Sequence, residues 1–180
     1  MPSSYLHSIV ERFRFYKQLG EDALEQIPDN QLHWQVNETG NSVYVIVKHI
    51  SGNMLSRFTD FLTSDGEKPW RERDKEFKVE SENSDRASLM IRWEEGWQCL
   101  FKNIEPLVEA DLERIVYIRK EPHTVVEALN RQLGHYAYHI GQIVLLAKMI
   151  CGENWRSLSI PKGKSKEFNK GMFSKNDLKG

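Results

Sequence analysis

The sequence predicts an all-α fold, a four-helix bundle with one long crossover connection. Three observations predict it. Four segments of roughly 20 to 28 residues carry apolar side chains at helical spacing. A charged, weakly periodic stretch at 65–83, with Pro69 inside it, separates the second from the third. The last segment opens on Thr124-Val125-Val126-Glu127, a capping box in which hydroxyl and carboxylate each satisfy a free backbone N–H. At 180 residues the chain suits one domain with a real core. That domain is expected to span 1–180, with the bundle at about 4–152 and a polar, basic extension at 153–180.

The first helix is predicted from Ser4 to Ile27. Leu6, Ile9, Val10, Phe13, Tyr16, Leu19 and Leu24 form its stripe, and Pro28-Asp29-Asn30 stops it. The second runs from Ser42 to Leu62 on Val43, Ile46, Val47, Ile50, Met54, Phe58 and Phe61. Thr39-Gly40-Asn41 turns into it and Ser64-Asp65-Gly66 turns out. The third starts near Ser84-Asp85 and ends at Ile104 or Leu107, close to Pro106. Leu89, Ile91, Trp93, Trp97, Leu100 and Phe101 are its apolar members. Asp111 to Lys120 is too short and mixed for a bundle helix and reads as a strand-like or irregular link. The fourth helix carries Val125, Leu129, Leu133, Tyr136, Ile140, Ile143, Ala147 and Cys151, with Gly152 as its C-terminal cap. Beyond Trp155 the chain turns polar, with Pro161, Gly163 and Gly171, and no further element is predicted.

Charge narrows the function. Lys+Arg at 25 against Asp+Glu at 26 leaves −1, which argues against nucleic-acid binding by the domain as a whole. From Arg156 onward there are seven Lys/Arg and two Asp/Glu, a local basic bias read as a solvated tail. No apolar run reaches the roughly 18 residues of a membrane span. Met-Pro-Ser-Ser-Tyr-Leu-His lacks the apolar region of a signal peptide, so a soluble cytoplasmic protein is expected. Cys99 and Cys151 sit in apolar helical patterns and read as small buried hydrophobes in a reducing compartment. Neither belongs to a C-x-x-C pair.

The chemistry lies in the histidines. His135 and His139 stand four apart, one turn from each other on one helix face, where two imidazoles can address one metal ion. Two ligands are too few, because a zinc-type centre needs at least three from the protein. Counting about 100° per residue, His139 lies roughly 95° and His135 roughly 135° from the centre of the fourth helix's stripe. His49 lies roughly 120° from the centre of the second helix's stripe. Flank positions let a side chain reach a cleft between helices while the core stays apolar. Neutral imidazole suits Zn, Ni, Fe or Cu. Spacing alone also admits surface or core histidines, and it does not bring His49 to the pair. His7 and His33 read as surface or packing residues and His123 as a loop residue.

The layout resembles the DinB-like (YfiT-like) superfamily of bacterial four-helix metalloproteins. The resemblance rests on His49 in Val45-Ile46-Val47-Lys48-His49-Ile50-Ser51-Gly52-Asn53-Met54 and on His135-Tyr136-Ala137-Tyr138-His139-Ile140-Gly141-Gln142-Ile143. It covers about residues 4 to 152, and the tail from Trp155 resembles a subgroup left as a domain of unknown function. The resemblance implies a divalent metal, Zn or Ni, held by His49, His135 and His139 with an open coordination position. It also implies a small-molecule substrate and a possible homodimer. Some members are similar to S-transferases that use a low-molecular-weight thiol such as bacillithiol. A non-catalytic metal-binding or stress-related protein and a metal-dependent hydrolase are the alternatives.

Asn53, Gln132 and Gln142 are candidate partners for the second ring nitrogens of the histidines. Gly134 and Gly141 suggest close helix packing near the metal. Tyr136 reads as a packing residue and Tyr138 as a surface one. Trp34, Trp70, Trp93, Trp97 and Trp155 read as core or interface. No P-loop, G-x-S-x-G or G-x-G-x-x-G is present, and the histidine pair lacks the glutamate of H-E-x-x-H. No general base is identifiable.

Overall fold

Three of the long helices begin where a side-chain oxygen takes up a backbone N–H that the helix itself leaves free. Ser42 accepts from Val45 N–H and opens α2 (Val43–Phe58). Asp85 accepts from Ser88 N–H and opens α4 (Arg86–Ile104). Thr124 and Glu127 make both arms of the predicted box and open α5 (Val125–Cys151). With α1 (Ser4–Leu24), these are the four predicted long helices. The computed structural model describes residues 4–78 and 84–176. Residues 79–83 of the predicted connection, the start at 1–3 and the tail end at 177–180 lie outside the described residues.

The four helices close into a bundle because each has two neighbours. α1 packs on α5 and α2 on α4, while α2 also touches α5 and α1 touches α4. Phe13, Met54, Phe58, Trp93, Trp97, Tyr136 and Ile140 meet in the centre, fully buried. Trp93 and Trp97 are therefore core, as read from the sequence, whereas Trp70 is exposed. Trp34 and Trp155 lie partly buried against the core. Among the described residues no helix is long and apolar enough to cross a membrane.

Several local readings are corrected. α1 ends at Leu24 rather than Ile27. α2 ends at Phe58, four residues before Leu62, because Thr59 is extended and Asp60 takes a φ of 51°. The link after α4, read as strand-like or irregular, does hold strands: a hairpin of β1 (Ile115–Ile118) and β2 (Glu121–Thr124), with Ile115 opposite Thr124. Arg119 and Lys120 form its two-residue turn, both at positive φ, the geometry that matches strand twist. β2 carries no apolar alternation, so only pairing with β1 makes it a strand. The crossover contains a one-turn helix, α3 (Arg73–Glu76), packed on α2. The tail contains α6 (Ser165–Asn176).

Gly134 and Gly141 do not mark close packing, since a Cβ at either would meet nothing within 4 Å. Close approaches lie at other helical glycines, among them Gly20 under Trp93 and Gly96, where a Cβ would stand 2.9 Å from Ser51 Cα across the α2–α4 contact. Cys99 and Cys151 are free thiols, only partly buried. Thr59 and Asn103 surround Cys99, whose pKa burial pushes up.

Candidate metal centre

Two ridges face each other where α2 touches α5. On α2 the i, i+4 row is His49, Asn53 and Arg57; on α5 it is Arg131, His135 and His139. The three histidines meet at one end. His49 Nε2 is 3.4 Å from His135 Nε2, and His139 Nε2 is 3.1 Å from His135 Nε2. One nitrogen from each ring lies within 4.8 Å of the other two. Among the described residues, this trio could hold a metal ion.

The outer nitrogens say which way the lone pairs point. His49 Nδ1 is 2.9 Å from Glu76 Oε2. His139 Nδ1 is 2.8 Å from Gln142 Oε1, whose amide nitrogen donates to the Tyr138 hydroxyl at 3.0 Å. A carboxylate and an amide oxygen only accept, so both Nδ1 atoms carry the proton and both Nε2 atoms turn lone pairs inward. His135 Nε2 lies against both. A proton on it can serve only one neighbour and leaves the other's lone pair without a donor. A cation at the centre serves all three, so the donor set fits a divalent metal.

Charge and burial shape the surroundings. Burial, the imidazoles of His139 and His49, and the guanidinium groups of Arg71 and Arg57 push the His135 pKa down to about 3. His139 is lowered too, by burial and by His49, against the opposing bond to Gln142. Burial alone would raise the Glu76 carboxyl, but the bonds from His49 and Arg71 outweigh it and hold it below the usual carboxylate range. Arg71 donates to Glu76 through Nε at 2.7 Å and through a terminal nitrogen at 2.9 Å, a two-point grip that fixes the carboxylate.

His49 is more deeply buried than its flank position implies, at 4% exposure. The crossover covers it. Glu76 from α3 bonds its ring edge and Phe77 lies against it at 5.0 Å between ring centres. His135 and His139 are half-buried. The candidate partners divide. Gln142 orients His139, but Asn53 instead accepts from the Tyr136 hydroxyl at 2.9 Å, and among the described residues no hydrogen bond joins Gln132 to a histidine. Tyr136 is a buried packing residue and Tyr138 an exposed one. His7, His33 and His123 stay out of the centre: His7 is exposed, His33 bonds the Ser84 carbonyl region at 2.7 Å and His123 lies on β2.

Sequence reasoning missed Glu76 and Arg71. Their only signal was position in a charged stretch that had to cross the second helix.

A family model described as Protein of unknown function (DUF1572) matches residues 1–164. No curated protein and no solved structure matches the chain. The chain belongs to the DUF1572 family.

Proposed function

We propose, with that membership as the premise, that this DUF1572 protein is a DinB-like metal-dependent enzyme that binds one divalent ion, Zn or Ni, through His49, His135 and His139. One observation carries the reading: three Nε2 atoms converge while acceptors hold the outer nitrogens of two of the rings. Three protein nitrogens fill fewer positions than such an ion takes, which is the mark of a catalytic rather than a closed structural site. A divalent ion so held lowers the pKa of a bound thiol or water and supplies a nucleophile near neutral pH.

The protein's own part is orientation. Glu76, gripped by Arg71, holds His49 in one tautomer, and Gln142 holds His139. Phe77 and the crossover shield His49 from water, while the half-buried His135 and His139 leave the other side accessible. Among the described residues, Glu76 is the carboxylate that touches the triad, and both its oxygens are engaged. With no free base at the site, a low-molecular-weight-thiol S-transferase is favoured over a hydrolase, since a thiol needs less help to ionise.

Metal analysis of the purified protein tests the site. The wild type is expected to carry about one divalent ion per chain. His49→Ala and the double variant His135→Ala/His139→Ala are expected to lose it. Equal metal in all three sinks the assignment. Titrating cobalt-loaded protein with bacillithiol or glutathione tests the reaction class. A spectral shift supports transferase chemistry, and an unchanged spectrum overturns it.

A further inference from the structure

The ridges that carry the histidines continue past them. Arg57 is one turn beyond Asn53 on α2, and Arg131 is one turn before His135 on α5. Together with Gln132 they line a cavity of about 310 Å³, of which His135 is also a wall. Arg73 from α3 and Arg119 from the hairpin turn complete it. The volume sits at the low end of the roughly 300–1,000 Å³ typical of small-molecule sites.

Four guanidinium groups around one cavity repel each other unless anions answer them. Glu67 answers in part, accepting from Arg57 at 3.3 Å and from Arg119 at 2.9 Å. Asp65 also lies on this side, but its oxygens are taken by the backbone N–H groups of Glu67, Arg119 and Lys120. Arg73 and Arg131 have no ion-pair partner among the described residues. Two cavity side chains are more than nine-tenths buried with a polar atom unpartnered: Oε1 of Gln132, 4% exposed, and Nε of Arg57, 6% exposed. Both atoms are themselves closed off from solvent, so the accessible donors of the cavity are the exposed guanidinium groups of Arg73 and Arg131.

We infer that this arginine-lined groove seats the oxyanion, a carboxylate or phosphate group, of a small organic substrate or thiol whose reactive end reaches the triad. The inference rests on the metal reading for the reactive end only; the arginines hold the anion themselves. Guanidinium forks recognise both oxyanions by paired N–H donors. The groove places such a group against Arg131 and Arg73, while Arg57, which already donates to the Gly66 carbonyl and to Glu67, lends its charge from the α2 wall; the molecule thus lies along the α2–α5 seam.

Calorimetric titration of the full-length protein tests this, in metal-free and zinc-loaded forms. The probes are glycerol 3-phosphate, succinate and, as neutral control, glycerol. One or both anions are expected to bind in both forms, and glycerol in neither. The tighter anion identifies phosphate or carboxylate as the natural group. Arg131→Ala and Arg73→Ala, both at exposed side chains, are each expected to weaken binding about tenfold with unchanged circular dichroism. Anion binding that is absent, indifferent to both arginines or seen only with zinc overturns the inference. Loss of zinc binding with anion binding intact overturns the metal reading instead.

Discussion

Glu76 reaches His49 from outside both helices that carry the histidines. It is separated from His49 by 27 residues, so no helical spacing could have linked them. Its effect is testable. Glu76→Gln keeps the shape but weakens the acceptor that orients the ring, and should lower metal affinity about 10- to 100-fold in a chelator-competition titration. Gly52→Ala should act the same way from the other side, because a Cβ there meets the Glu76 carboxylate. Affinity unchanged in both variants would mean that Glu76 has no hold on the site. By contrast Gln142 was legible. It stands three residues after His139 on one helix, where side chains meet by geometry alone. Asn53 passed the same spacing test against His49 and failed it in fact, because Tyr136 from α5 competes for its oxygen.

At the scale of the element, the caps behave as local chemistry requires. Thr124→Ala should cost about 1 kcal/mol in denaturant unfolding, since it removes an acceptor from Glu127 N–H. The glycines of α5 and α4 make a sharper pair. Gly134 and Gly141 are interior helical positions facing open space, so each change to alanine should stabilise by about 0.5–1 kcal/mol. Gly96→Ala should destabilise by about 1–3 kcal/mol, because the added methyl meets Ser51 backbone that cannot move alone. Thermal melts of the three variants decide this; the same sign for Gly96 and Gly141 would contradict the packing described. All three are glycines inside helices, and the sequence treats them alike. Only the neighbouring helix separates them.

For the whole molecule, acid stability follows from carboxylates held below their ordinary range. Hydrogen bonds from the Glu67, Lys120 and Arg119 backbone lower Asp65 against its slight burial. Arg119 and Arg57 lower Glu67 against its burial, and the Val108 N–H and Arg114 lower Asp111. The unfolded chain therefore binds protons first as pH falls. The stability these groups add is fully present above about pH 5, clear of their unfolded range, and is lost as pH falls through the folded values. Urea unfolding between about pH 6 and 3 should show stability falling with pH, and least change above about pH 5. The start of the tail packs on the bundle through Trp155 and Leu158, but α6 lies beyond it. Residues 161–172 are exposed, and the family match stops at 164, before α6. A chain ending at residue 164 should keep the melting temperature and metal content of the full protein; a drop in either would show that α6 docks on the bundle.

The four long helices and the Thr124–Glu127 capping box were determined by the sequence itself, because apolar period and capping pairs act within a few residues. So was the i, i+4 histidine pair, as a spacing. Tertiary structure alone decided that His49 meets that pair, because contact between α2 and α5 depends on how four helices close, which no local pattern encodes. It also decided that α3 lands Glu76 on His49, that β2 is a strand, and that Arg57 and Arg131 extend the same two ridges into one charged cavity. Apart from the hairpin, whose strands are two residues apart, each of these is a meeting of segments distant in the chain. Their partners are chosen by burial and charge in three dimensions rather than by neighbours in sequence.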